Sequence, residues 1–197
     1  MNKTILMAVA MLWTLAASAQ ETVDNTWKLK PLAGITFADV SEEGVDTKIG
    51  FAVGVEASKR LSKSVEFSIG AIYAAEGGED DGVKMNLNYI NIPVLYKAYV
   101  SEQLAFVLGL QPCFKTSAKA SSNGVTIDLD KAFQGTDVAI RAVDLAIPIG
   151  LSYEYHNLVF DARYNLSVTR YASGEINNEK SGRNRVFQLT LGYKFNL

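Results

Sequence analysis

The chain has 197 residues with 19 basic and 21 acidic side chains, a mild negative balance that offers no footing for a nucleic-acid partner. A single cysteine, Cys113, rules out an intramolecular disulfide, and a single histidine, His156, removes most routes to metal ligation and acid–base chemistry. There is no phosphate-binding glycine loop and no metal-spaced cluster, so no cofactor is expected.

The first segment reads as an export signal. Lys3 supplies positive charge, Ile5 to Leu15 form an apolar run, and Ala17-Ser18-Ala19 offers a small-residue cleavage site before Gln20. A run of about a dozen apolar residues falls short of the roughly 20 that a helix needs to cross a bilayer. The expected organisation is a signal peptide over 1–19, with no cysteine after the cleavage site to carry a lipid anchor, and one domain over 20–197. No later stretch could span a membrane as a helix, so membrane residence requires a barrel.

Apolar residues then recur with period two in eight segments, and helical periodicity is absent. The first three share odd positions: Trp27, Leu29, Ala33, Ile35 and Phe37; Ile49, Phe51, Val53 and Val55; Val65, Phe67, Ile69, Ala71 and Tyr73. The fourth and fifth use even positions, from Ile90 through Val100 and from Leu104 through Phe114. The sixth runs on odd positions from Val143 to Tyr155, the seventh on even positions from Leu158 to Val168, and the last on odd positions from Phe187 to Leu197. Each is long enough to cross a bilayer as a tilted strand.

Connection lengths alternate. Ser62 to Ser64, Ser101 to Gln103 and His156-Asn157 are tight, whereas 39–47, 75–84, 117–140 and 172–184 are long and polar. Short turns at one rim and long loops at the other match a bacterial outer-membrane barrel with its tight rim in the periplasm. Parity supports the register: three-residue turns set Leu61 opposite Val65 and Val100 opposite Leu104, and a two-residue turn sets Tyr155 opposite Leu158. Met85 and Leu87 sit on the polar phase before Tyr89, which predicts a bulge or a protruding end in the fourth strand. Pro31 and Pro93 must fall where a ladder bond can be spared.

Alternation alone leaves open a secreted soluble, lipocalin-like barrel, apolar inside and polar outside. The polar phase argues otherwise, because it is largely Gly50, Ala52, Gly54, Ser58, Ser68, Gly70, Gly109, Ala146, Gly150, Ser152 and Gly192 rather than a dense run of Lys and Glu. Small residues with scattered charges suit the cramped lumen of an eight-stranded barrel. Trp27, Tyr99, Tyr153, Tyr155, Tyr193 and Phe195 collect at the turn-side ends as an interfacial girdle would. The expected fold is all-β: an eight-stranded antiparallel up-and-down transmembrane β-barrel in the outer membrane.

Asn88-Tyr89-Ile90-Asn91-Ile92-Pro93-Val94-Leu95, Val143-Asp144-Leu145 leading to Gly150, Asp161-Ala162-Arg163-Tyr164-Asn165-Leu166 and the closing Gly192-Tyr193-Lys194-Phe195 carry a resemblance. With these segments the chain resembles the PorT-like outer-membrane β-barrel family of Bacteroidetes-type bacteria, over essentially all of the mature chain. Ser167 stands where a glycine usually follows the Arg-Tyr-Asn-Leu core. The resemblance implies an outer-membrane barrel and a link to protein secretion and surface display, with no catalytic or binding motif to carry over. Separately, Thr190, Gly192, Phe195 and Leu197 resemble the signal by which the barrel-assembly machinery recognises its clients, an aliphatic residue replacing the final aromatic.

On the inward phase lie Lys48, Glu56, Arg60, Glu66, Lys97, Lys115, Asp144, Glu154, Asp161, Arg163 and Lys194. Charges withdrawn from water need partners, so Arg60, Glu66, Asp144, Glu154, Asp161, Arg163 and Lys194 are expected to form a polar network that plugs the lumen, with Arg60 opposite Glu66. His156 falls at a tight turn, and no nucleophile has a base beside it, so the chain is read as no enzyme. The acidic runs Glu42 to Asp46 and Glu76 to Asp81 read as solvated surface, with a surface divalent-cation site as the alternative, and Val125, Ile127 and Leu129 alternate as a hairpin edge for a partner. The expected role is structural, interactive or secretion-accessory, in contact with outer-membrane lipid, the assembly machinery and an envelope protein reached through the outer loops. The alternatives are a narrow channel or ligand-binding barrel and, weakest, a lipid- or peptide-modifying enzyme.

Overall fold

A computed structural model describes residues 26–40, 46–80, 83–122, 125–128, 139–140, 142–169, 172–173, 175–176, 179–180 and 184–197; the expected export signal and the run from Glu42 to Val45 lie outside them. The strands are β1 (Trp27–Val40), β2 (Asp46–Ser62), β3 (Val65–Asp80), β4 (Val83–Asn91), β5 (Val94–Tyr99), β6 (Leu104–Ser122), β7 (Val125–Asp128), β8 (Ala139–Ile140), β9 (Val143–Tyr155), β10 (Leu158–Ser167), β11 (Ala172–Ser173), β12 (Glu175–Ile176), β13 (Glu179–Lys180), β14 (Asn184–Tyr193) and β15 (Phe195–Asn196). Among the described residues no helix is long and apolar enough to cross a membrane, a criterion that does not concern barrels.

The sheet closes on itself. Its order is β14, β10, β9, β6, then β4 and β5 end to end, then β3, β2 and β1, and β1 pairs β14 again. With β15 continuing β14 along β1, the wall has eight antiparallel strands. Among the described residues closure leaves no bare edge in the wall, as a hydrocarbon surrounding would demand because nothing in it can bond a stray N–H or C=O.

The prolines sit at interruptions of this ladder. Pro93 separates β4 from β5, where Gly70 N donates to Pro93 O at 3.0 Å and Ile92 N donates to Pro112 O at 2.9 Å, so the wall stays joined across the break. Pro31 lies between the pairings Leu29↔Phe195 and Leu32↔Gly192, where β1 skips the junction of β14 and β15.

Side chains separate by parity into two surfaces. Ile35, Phe51, Val53, Phe106, Leu108, Ile149, Phe160 and Leu189 stand on the outside with more than a third of their surface open, while Lys30, Glu56, Lys97 and Arg163 are 1 % exposed or less inside. A soluble barrel would show the reverse, so the lipocalin-like alternative falls on this inversion. Trp27, Tyr153, Tyr155, Tyr193 and Phe195 stay outside at the short-turn rim.

Four local expectations need correction. Tyr99 does not join the aromatic girdle: outward positions in β5 are even, so this odd residue points inward and is only 4 % exposed. The turn after β2 is two residues, Lys63 and Ser64, with Ser62 opposite Val65; Leu61 is the extra residue, and its bulge turns Val65 inward rather than setting the two face to face. The irregularity expected in the fourth strand lies in its partner, because Asn88 pairs Ser117 while Tyr89 pairs Lys115, leaving Thr116 as the bulge in β6. Leu87 and Tyr89 therefore keep the inward phase of β4 and fill the lumen. Finally, most of 75–84 is strand: β3 runs to Asp80 and β4 begins at Val83, and β6 likewise reaches Ser122 and pairs with β7.

The strands are unequal in reach. β2, β3 and β6 have 17, 16 and 19 residues, whereas β10 and β14 have 10 each, close to the ~9–11 that span a bilayer. The surplus lies at the long-loop end, where Asp46 and Thr47 of β2 pair with β3, β3 with β4, β4 with β6 and β6 with β7. Among the described residues β2, β3, β4, β6 and β7 thus carry a paired extension above the wall, a strand-built blade.

Candidate functional site: a charged lumen and its mouth at the short turns

The lumen carries two chemically distinct layers. Toward the long-loop end, Leu87, Tyr89, Cys113, Ala118 and Ala146 pack as one buried cluster, with Leu32, Ala52, Ile72 and Ala74 as a second. The Cys113 thiol is packed, with Gln111 beside it, and is no exposed nucleophile. Toward the short-turn end, ionised side chains fill the bore.

The inner part of that charged layer is built from β1, β2 and β10. Lys30 Nζ lies 2.5 Å from Asp161 Oδ2 and 2.7 Å from Glu56 Oε2. Arg163 closes the ring, with Nη1 2.6 Å from Glu56 Oε1 and Nη2 3.0 Å from Asp161 Oδ2. These four groups reach one another because Lys30 pairs with Glu56 across the β1–β2 ladder and because Asp161 and Arg163, two apart on β10, share its inward face. Gly192 makes room for the lysine: a Cβ there would sit 2.7 Å from Lys30 Cγ.

The outer part lies at the mouth. Lys194 Nζ is 2.8 Å from Glu66 Oε2 and 2.9 Å from Glu154 Oε2. Tyr99 donates from its hydroxyl to Glu154 Oε2 at 2.7 Å and lies 3.2 Å from Glu66 Oε2. Lys97, fully buried, joins the two parts at longer range, 3.6 Å from Glu66 Oε1 and 3.7 Å from Asp161 Oδ1. Arg60 is the loosest member: its Nε is 4.0 Å from Glu66 Oε2 and its Nη2 3.7 Å from Glu154 Oε2, while its guanidinium lies over the Tyr99 ring at 3.6 Å.

Of the residues expected to form the network, Arg60, Glu66, Glu154, Asp161, Arg163 and Lys194 line this layer, together with Glu56 and Lys97. Asp144 does not. It stands at the far end of β9, where its carboxylate accepts from Leu145 N at 2.6 Å and from the hydroxyls of Ser167 and Thr169, tying β9 to β10. Lys48 is also apart, donating to Asn86 Oδ1 at 2.6 Å, and Glu76 is buried beside Asn91 rather than solvated. Sequence reading missed Lys30, although it shares the even, inward phase of β1, because Leu32 on the same phase and Pro31 beside it blur the alternation.

The assembly-signal residues divide by face. Thr190 is buried in the lumen and Gly192 faces Lys30, while Phe195 and Leu197 stand exposed at the rim. His156 occupies the turn between β9 and β10 in a left-handed conformation, φ 55°, with its ring 4.4 Å edge-on from Tyr155. Among the described residues no group of acidic, histidine and cysteine side chains could hold a metal ion.

An all-strand closed wall, apolar without and charged within, is the architecture of an outer-membrane barrel, and the sequence matches the outer membrane protein beta-barrel domain family over residues 5–195. The chain belongs to this family. Solved structures agree on the fold. Neisserial surface protein A superposes with a TM-score of 0.55 at 17% identity, covering 86% of this chain and 97% of that one. Ail, the attachment invasion locus protein of Yersinia pestis, gives 0.52 at 19% identity, with 86% and 99% covered, in a complex with the heparin analogue sucrose octasulfate. No curated protein matches the chain in sequence. As a member of the family, the chain sits in the outer membrane with its apolar belt in lipid, and barrels of this membrane keep their short turns on the periplasmic side.

Proposed function

We propose that this outer-membrane barrel is a non-conducting, non-enzymatic anchor that presents its strand-built blade outside the cell to another envelope or secretion protein. The observation that carries this reading is the extended wall: the long β2, β3 and β6, with β7 folded back on β6, carry paired strand past what the membrane needs. Strands held above the surface offer a rigid platform whose backbone groups can bond a partner's strand. Two layers of packed side chains in series across the bore support the non-conducting part. The PorT-like resemblance supports a secretion-accessory role. Ail's sulfated ligand stays with Ail, since the likeness to it carries the fold alone.

In the same reading, residues 1–19 direct export and are cleaved, and Thr190, Gly192, Phe195 and Leu197 are read by the barrel-assembly machinery. The test is photocrosslinking from Lys119 or Ile127 in intact cells, paired with single-channel recording of the purified protein. A discrete crosslinked partner and silent bilayers are expected; steady conductance would favour the narrow channel, and the absence of any crosslink from the blade would remove its assigned role.

A further inference from the structure

The charged layer leaves one cation over. Within the ion cluster Lys30, Arg60, Lys97, Arg163 and Lys194 face Glu56, Glu66, Glu154 and Asp161, five cations to four carboxylates, with Lys28, Lys63 and Glu102 beyond it at the mouth. Geometry shows which one is surplus. Lys194 and the Tyr99 hydroxyl hold the Glu66 and Glu154 oxygens at hydrogen-bonding range, so Arg60 stands back at 3.7 and 4.0 Å. The Lys63 carbonyl is 3.5 Å from Nη1. A guanidinium held over an aromatic ring can still meet an oxyanion bidentately, and this one's contacts with Glu66, Glu154 and the Lys63 carbonyl are all long, at 3.5 to 4.0 Å.

Arg60 also lines two adjoining cavities at the periplasmic mouth, of about 460 and 410 Å³, and Glu102 is the other residue common to both. Glu102 lies exposed on the turn before β6. That turn is held in place: Ser101 Oγ accepts from Leu104 N at 3.1 Å, and Gln103 O accepts from Glu154 N at 2.7 Å. The lining therefore offers cations, Arg60 with Lys28 in the larger cavity and with Lys63 in the smaller, beside the carboxylates Glu102, Glu66 and Glu154, around a volume in the range that small-molecule sites occupy.

We propose that the periplasmic mouth binds a short zwitterion, its oxyanion on the Arg60 guanidinium and its ammonium against Glu102. A phosphoethanolamine head group of the inner leaflet and a free amino acid share this chemistry. A pure anion would use the cations of the lining and leave Glu102 unmet, and a pure cation would do the reverse, so a molecule that carries both charges suits the lining best.

The test is calorimetric titration of the full mature protein in a sugar-headed detergent. O-phosphoethanolamine and glycine serve as zwitterionic probes, with inorganic phosphate and ethanolamine as their halves. A zwitterion should saturate a single site about tenfold or more tighter than phosphate, with ethanolamine silent, and Arg60→Lys and Glu102→Gln should each weaken it about tenfold. Phosphate binding as tightly as the zwitterions, an adventitious response unchanged in both variants, or no saturable heat from either zwitterion would overturn the proposal. Glu102→Gln, on an exposed turn, keeps the test intact should Arg60→Lys fail to refold. The source is then read in nanodiscs: loss of the soluble probe's binding in phosphatidylethanolamine but not in phosphatidylglycerol discs identifies the lipid head group, and equal binding in both identifies the free zwitterion.

Discussion

Lys30 is the side chain on which the inner charge cluster turns. It sits between Glu56 and Asp161 with almost no surface open to water, so replacing it strands two carboxylates in the bore. Lys30→Met should therefore cost about 3 to 5 kcal/mol, the penalty for breaking a buried pair from one side, measured by urea unfolding in lipid vesicles. Gly192 gives a sharper contrast, because two roles meet there. If it is small to admit the Lys30 stem, Gly192→Ala should cost about 1 to 3 kcal/mol of stability even when the protein refolds into vesicles with no assembly machinery present. Unchanged stability in that system, with slowed assembly in cells, would assign the glycine to the signal instead. Charges were legible in the sequence wherever the alternation was clean, as at Asp161 and Arg163 on β10. Tyr99 was not, since an aromatic near a rim suggests an interfacial belt, and only the parity of β5 shows that it turns inward to bond Glu154.

At the scale of elements, period two set out the eight crossings and the tight turns, while the bulges escaped it. A bulge leaves its mark on two strands at once, and the apolar phase of β4 near Leu87 showed only the half belonging to the wrong strand. The extra residue, Thr116, rotates everything after it in β6, so Ala118 faces the lumen and Lys119 faces out. Deleting Thr116 should exchange those two faces. In a background with Cys113→Ser, a cysteine at position 118 should resist a polar maleimide and one at 119 should react; in the deletion the reactivities should swap. Retention of the original pattern would mean that the irregularity resides elsewhere in the pair. On the outer surface, Leu189→Arg should lower stability by about 2 to 4 kcal/mol in bilayers, the cost of an arginine near the midplane on the lipid face.

Across the whole molecule, the bore is closed twice. The apolar cluster around Leu87 and Tyr89 lies toward the outside, and the ion cluster around Lys30, Glu56, Asp161 and Arg163 lies toward the periplasm. Neither layer could be placed from the sequence, because their separation along the axis depends on how strands far apart in the chain are staggered on closure, as Leu158 to Leu166 are against Arg185 to Tyr193. Two blocks in series behave differently from one. Trimming the apolar layer with Leu87→Ala and Tyr89→Ala leaves the ion cluster across the path, and trimming the ion cluster with Glu56→Ala and Arg163→Ala, which removes a charge of each sign, leaves the apolar layer. Each double variant should be as silent in planar bilayers as the parent, while the four substitutions together should give discrete conducting steps. Conductance from either double variant alone would show that one layer bears the seal and that the other merely fills space, and silence in the combination would place a third barrier at the mouth, where Lys194, Glu66, Glu154 and Tyr99 converge.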